Sequence, residues 1–439
     1  MSDAYASAPP PMPRISRRKR PPRFFWLALF VVLILLVILS GSAANSLLAR
    51  KPLPAATPLP AGSAFVSLPL SQDQIYQIQH MPEKMRAKLL AQLYVSHMTL
   101  DEKLGQLIMA QAETWNDSAN TPDTMYMLNQ LHAGGIIMYT IQMHTFKQTK
   151  GDIEAMQAHA SIPLIVATDE EGGLVERVQN IFGDRPSAMQ TYETGNVNNA
   201  AKLGHGIAHD LQALGINADL GPDVDVLQVA NSSGYMDTRT FGTTPQSVIA
   251  YGGADLRALQ GDGEIACLKH YPGLGAAKTD AHYSLPVINS SRDHIYSIDL
   301  APYKYFLSSA NPLDNPGMIM TTDLMMPALD PSLPAELSPT IITGILRNEF
   351  HYDGVVITDA LWMDGIAKKW NLVQASIMAL NAGDDMLLGA IGSYQMEMVL
   401  NGLKGALQDG QLSMDRVNQA VTRIIALKFQ YHILQTPWY

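Results

Sequence analysis

EIACLKHYPG, residues 264–273, is the stretch on which the fold turns. Its apolar residues are consecutive rather than alternating, so both faces of the strand they form must be buried. That pattern belongs to a parallel strand, because an antiparallel strand usually keeps one wet face. The run ends in Lys269 and His270, and Pro272-Gly273 then stops the strand, leaving two polar side chains at the turn.

Seven further runs share this design: QLIMA (106–110), GGIIMYT (134–140), PLIVATDEEGG (163–173), INADLGPDVDV (216–226), GMIMTTDLMM (317–326), GVVITDALWM (354–363) and GDDMLLGA (383–390). Segments of helical character separate them. Eight βα units predict an α/β fold, a closed (β/α)8 TIM-type barrel. The competitor is an open doubly wound sheet, but no G-x-G-x-x-G follows an early strand. Before the first run, MTLDEKLGQLIMA (98–110) carries a capping box, with Thr99 at N-cap and Glu102 at N3.

Polar residues are expected at the C-terminal ends of the strands: Asp169, Asp223, Lys269, His270, Asp359 and Asp384. In a barrel those ends share one face, so residues distant in sequence meet in one pocket. A single Asp there could equally cap a helix. Six strand ends together argue for a site.

The chain has 439 residues, 47% of them hydrophobic, enough for one long barrel. Its formal net charge is -10, although RISRRKRPPR (14–23) alone holds six basic residues, so the body is acidic and no nucleic acid partner is expected. Cys267 is the only cysteine, which forbids an intramolecular disulfide and leaves the compartment open. The N-terminus is more informative. FFWLALFVVLILLVIL (24–39) and SGSAA (40–44) carry no charge, and together they reach the length of about 20 residues that crosses a bilayer as a helix. The basic flank predicts a cytoplasmic N-terminus. Residues 1–23 then form a basic cytoplasmic tail, 24–44 a transmembrane anchor or signal segment, 45–71 a Pro/Ala-rich linker and 72–439 the barrel. The expectation is a single-pass cell-membrane protein with an extracellular body. A secretory signal has the same parts and its cleavage would yield a secreted form; the length of the apolar run favours the anchor.

Several residues could carry chemistry. Lys269 is a flexible cationic donor, and neutral His270 can donate to a hydroxyl. Asp280 and His282 flank one Ala, so the carboxylate can accept from one ring nitrogen and fix the tautomer of the other, as in an oriented proton-transfer dyad. Asp359 ends an apolar strand at the barrel mouth, where it can act as a nucleophile or stabilise a cation. The pairs Asp223/Asp225 and Asp384/Asp385 lack convergent His or Cys ligands and are read as structural, with no metal expected.

KHYPGLG (269–275) followed by DAH (280–282), with DEEGGLVER (169–177) upstream and GVVITDALWM downstream, resembles glycoside hydrolase family 3, particularly its single-domain bacterial β-N-acetylglucosaminidases. The resemblance runs from about residue 98 to the C-terminus. It implies a retaining exo-β-N-acetylglucosaminidase of cell-wall fragments or other glycans, with Asp359 as nucleophile, His282 as acid/base and Asp280 orienting it. Asp169, Arg177, Arg239 of DTRTFG, Lys269 and His270 would bind sugar hydroxyls. The chain ends at Tyr439, leaving no second domain to supply a Glu acid/base as in larger relatives, so the His-loop type is expected. No cofactor is expected, since nucleophile and acid/base complete the reaction. The partners implied are a glycan with terminal N-acetylglucosamine and the membrane, and a monomer is expected. Leu274, Leu174 and Ala360 depart from the family pattern, with loop packing the expected consequence at Leu274. A β-glucosidase or phosphorylase on the same barrel, or an inactive glycan-binding module, are the alternatives.

Overall fold

The computed structural model describes residues 72–113, 118–229 and 236–435. Eight parallel strands close the barrel: β1 (Ile108–Gln111), β2 (Gly135–Ile137), β3 (Ile165–Thr168), β4 (Ala218–Asp219), β5 (Ile265–Tyr271), β6 (Met318–Thr321), β7 (Val355–Ala360) and β8 (Met386–Ile391). Each pairs with its neighbours in chain order, and β1 pairs with β8 to complete the ring. The (β/α)8 expectation holds. Each strand falls within one of the eight runs except for Gln111 and Ile391, one residue past theirs, and β4 is the shortest. The reading over 216–226 overestimates it, because Pro222 has no amide proton to give a ladder.

A helix follows each strand: α1 (Pro122–Asn129), α2 (Phe146–His159), α3 (Asn198–Leu214), α4 (Pro245–Gly261), α5 (Ala301–Ser308), α6 (Thr340–Glu349), α7 (Leu372–Ala382) and α8 (Gly392–Gln408). Local chemistry sets their starts. Thr121, Thr145, Thr244 and Asn371 each accept from a first-turn amide, and Pro at the first position of α1 and α4 gives up no bond. The capping box read at Thr99 and Glu102 is present, opening the short helix Leu100–Gln106. The strands are buried on both faces, Ile265 to Leu268 being almost wholly inaccessible, as consecutive apolar side chains require. Helix Met414–Gln430 packs along Glu83–His97, with Tyr94 and Phe429 meeting edge to face.

One strand-end assignment is corrected. Asp384 precedes β8 instead of ending it, so it stands at the N-terminal end of that strand, buried and accepting from Thr321 Oγ1 at 2.9 Å. The cause is α7, which stops at Gly383 (φ 127°) and leaves the two acids to lead into the strand. Asp385 is structural as expected, clasped by Arg347, Arg416 and Arg423 at 2.5, 2.8 and 3.2 Å. Among the described residues no helix is long and apolar enough to cross a membrane. The anchor, linker and tail read over 1–71 lie outside them.

Candidate active site

The C-terminal ends of the strands surround a cavity of about 220 Å³. Asp169, Arg177, Arg239, Lys269, His270, His282 and Asp359 all line it, with Asp280 directly behind His282. Strand order explains the convergence. Asp169 follows β3, Lys269 and His270 end β5, and Asp359 lies in the last turn of β7, so three separate strands deliver their polar ends to one mouth. A larger cleft of about 580 Å³ lies at the N-terminal ends of β6 and β7, where Lys88 and Arg423 both pair with Asp353 at the surface. It assembles no comparable chemistry.

Asp359 is not a helix cap. The helix beyond it, Asp364–Ala367, starts after Met363, and the Asp359 carboxylate instead accepts from Ala360 N at 2.8 Å and Thr322 Oγ1 at 3.1 Å. His282 Nδ1 donates to Asp280 Oδ1 at 2.7 Å, and the same oxygen accepts from His282 N at 3.0 Å. With Nδ1 held by the carboxylate, Nε2 is the ring nitrogen positioned to exchange a proton. His282 is 42% exposed and Asp280 12%, so the imidazole faces the opening and its orienting carboxylate does not. The loop that carries them is tied down at both sides: Lys368 Nζ donates to Tyr283 O at 2.8 Å, and residues 286–288 pair with Met325.

The floor is an ionic lattice. Lys269 Nζ sits 2.9 Å from Asp169 and 2.6 Å from Glu171, while Arg239 grips Glu171 with two bonds of 2.8 and 2.7 Å. Burial pushes the Asp169 and Glu171 carboxyls up, but Lys269 with Arg177 on the first, and Arg239 with Lys269 on the second, outweigh it and hold both below the ordinary range. In turn the two acids hold Lys269 charged against burial. Arg239 Nη2 donates to His270 Nε2 at 3.1 Å, so His270 must donate from Nδ1 to Asp225 Oδ2 at 2.7 Å. Burial and then Arg239 lower His270 to about 4, which agrees with a neutral ring. Both cations thus remain charged donors at the cavity wall, suited to sugar hydroxyls.

Asp223, Asp225 and His270 cluster closely enough to hold a metal ion, but both ring nitrogens are engaged and Arg239 stands 3.8 Å from Asp223. The donor set fits a hydrogen-bonded frame for His270 better than a cation. Asp225 also accepts from Leu274 N at 2.6 Å, and Leu274 is buried, so the departure at this position is absorbed in loop packing. Leu174 is largely exposed, and Ala360 is buried on the cavity wall. Arg177 reaches the cavity beside Asp169 at 3.9 Å and over the Tyr139 ring.

Glu171 carries no role in the sequence reading, although it stands in a quoted stretch, whereas Asp225, read as structural, holds His270 Nδ1 and Leu274 N. The legible signal is an acid within a run that must be buried, which requires a cation or a proton. Thr322 and Tyr139 carry no comparable signal.

Residues 99–427 match the model of the glycosyl hydrolase family 3 N-terminal domain. β-Hexosaminidase A of Pseudoalteromonas piscicida is 32% identical over 333 residues, 70% of this chain and 55% of that protein. β-Hexosaminidase LpqI of Mycobacterium tuberculosis is 31% identical over 334 residues, 74% of this chain and 82% of that protein. Among solved structures, a family 3 β-N-acetylglucosaminidase from Paenibacillus sp. str. FPU-7 superposes with a TM-score of 0.70 at 30% identity, covering 76% of this chain and 63% of that one. The chain therefore spans little more than half of one such relative and about four fifths of another. Because that family model covers residues 99–427, most of the sequence, and LpqI is 31% identical over 74% of the chain, the chain belongs to glycosyl hydrolase family 3.

Proposed function

We propose that the protein is a retaining exo-β-N-acetylhexosaminidase that removes terminal β-linked N-acetylglucosamine from cell-wall fragments or other glycans. The observation that carries this reading is that Asp359, near the end of β7, and His282, on the loop after β5, line one cavity together with the charged side chains of Arg177, Arg239 and Lys269. Relatives named for β-hexosaminidase activity support the substrate class.

In the first step an Asp359 carboxylate oxygen bonds to C1 of the sugar as the glycosidic bond breaks. The departing electron pair stays on the aglycone oxygen, which takes the proton from His282 Nε2. In the second step water bonds to C1, gives a proton to His282, and the glycosyl ester bond breaks to restore Asp359. Asp280 accepts from Nδ1 throughout, so the proton exchanged is the one on Nε2, present on the imidazolium before the first step and restored by water in the second. A neutral imidazole base does not repel the anionic nucleophile, which suits it to stand in for the second carboxyl of other glycosidases. Arg239, Lys269, Asp169 and Arg177 hold the sugar hydroxyls, and His270, with its ring nitrogens on Asp225 and Arg239, braces Arg239 beside them.

The test is hydrolysis of p-nitrophenyl N-acetyl-β-glucosaminide. Asp359→Ala is expected to lower kcat by at least about 1,000-fold and His282→Ala by about 100- to 1,000-fold. Wild-type rates in both variants would remove the assignment. Parallel assays with the glucoside, and with added phosphate, separate this activity from a β-glucosidase or a phosphorylase.

We also infer an extracytoplasmic body tethered by the N-terminal segment. The basic run at 14–23 and the apolar run from 24 to 44 support that placement.

A further inference from the structure

Behind Asp359 lies a second acid that the proposed chemistry does not use. Asp323 follows β6, the strand beside β7, and is completely buried with Oδ2 lacking any hydrogen-bond partner. Gly365 packs against it: a Cβ there would come within 1.9 Å of Asp323 Oδ2, so a larger residue would have to displace the carboxyl. Asp359 on β7 and Asp280 on the loop after β5 both act on Asp323 to raise its carboxyl, and Glu336 on the segment between β6 and α6, itself raised by burial and then by Asp323, is a third acid beside it.

Thr322 stands between the two carboxyls. Its Oγ1 is 3.1 Å from Asp359 Oδ2 and 3.5 Å from Asp323 Oδ1, the second contact longer than a well-formed O–H···O bond. A hydroxyl has one proton and cannot donate to both. Two charged carboxylates would compete for it, and the buried one would have no other donor at its free oxygen. If Asp323 is a neutral acid protonated at Oδ1, that proton goes to Thr322 Oγ1, the threonine proton goes to Asp359, and the oxygen left without a partner, Oδ2, is an uncharged carbonyl.

We propose that Thr322 and Asp323 are positioning residues for Asp359, with Asp323 acting as an uncharged carboxylic acid that donates to Thr322 and so turns the threonine hydroxyl toward the reacting carboxylate. The proposal rests on the reading of Asp359 as nucleophile. Burial, and then the charge of Asp359, raise the Asp323 carboxyl to about 9, which keeps it protonated at neutral pH. The arrangement supplies one fixed donor to each oxygen of the nucleophile, Ala360 N on Oδ1 and Thr322 on Oδ2, without placing a second negative charge beside it.

Four variants of the full chain test this, with kcat and KM for the chromogenic substrate at pH 7 and melting temperature as a fold check. Thr322→Val, which keeps shape and loses the donor, is expected to lower kcat by about 10- to 100-fold with KM within about twofold, and Thr322→Ser to recover most of that loss. Asp323→Asn, neutral and of the same shape, can still donate to Thr322 and is expected to keep kcat within about threefold. A loss above about tenfold in Asp323→Asn would mean that the position needs a charge and overturns the proposal. So does a Thr322→Val enzyme with unchanged kcat while Asp359→Ala is inactive. An Asp359→Ala enzyme that keeps its activity overturns the underlying nucleophile reading instead, and the two failures are thereby told apart.

Discussion

Glu171 shows how much a single side chain can organise. It accepts two bonds from Arg239 and one contact from Lys269, and no water-exposed alternative exists for either cation, since both are nearly inaccessible. Removing one partner of a buried ion pair leaves the others uncompensated, at a cost on the order of 3 kcal/mol. Glu171→Gln is therefore expected to lower the unfolding free energy by about that amount and to raise KM by about tenfold, read by denaturant titration and steady-state kinetics. Because Asp169 and Glu171 are held below the ordinary carboxylate range, their stabilisation is present above about pH 4 and is lost as the pH falls through their folded values. The acid limb of the stability profile should accordingly be shallower in the variant. Asp359, His282 and Lys269 were legible as residues because each is a polar group ending or following a run that must be buried. Glu171 was not, because its role depends on which cations arrive from 68 and 98 positions away.

Among the elements, the strands were readable because burial on both faces leaves a run of consecutive apolar residues, a pattern that survives without any alignment. One helix start was readable, where the Thr99 and Glu102 capping box precedes an apolar run. The end of α7 was not, and that is why Asp384 was assigned to the wrong end of β8. The joint between α3 and α4 depends on a contact that no local rule reveals. At Gly204 on α3, an added Cβ would lie 2.4 Å from Asp255 Oδ1 and 2.7 Å from the Asp255 carbonyl oxygen on α4. The backbone oxygen cannot move away cheaply, so Gly204→Ala is expected to cost about 1–3 kcal/mol despite its better helix propensity. A melting temperature equal to wild type would show that the helices separate without penalty. The loop from 274 to 288 is a third case: its dyad is local, but its position over the cavity comes from pairing with Met325 and from Lys368 beyond β7.

Across the whole molecule, stability carries a buried base far from the cavity. Lys428 on helix Met414–Gln430 is inaccessible and donates to Gln106 Oε1 at 2.7 Å, and burial lowers its amine from 10.5 to about 7. Between those values the unfolded chain binds more protons, so this group makes stability rise with pH across the window from about 7 to 10.5. Lys428→Met is expected to raise the melting temperature at pH 6.5 by a few degrees, less the effect of the bond lost at Gln106, and the gain should shrink toward pH 10. The inferred tether belongs to the same scale. Full-length protein is expected to sediment with membranes, and a chain lacking residues 1–44 to stay in the supernatant with its activity intact; soluble full-length protein of unreduced mass would count against the anchor. The sequence by itself determined the barrel and the family, since repeated two-face burial and the spacing of KHYPGLG, DAH and DEEGGLVER are local features written along the chain. Only the tertiary structure decided which acids are charged, which nitrogen of His270 carries its proton and what stands behind Asp359. Those properties follow from distances between residues on different strands, and Coulomb interactions and burial act through space rather than along the chain.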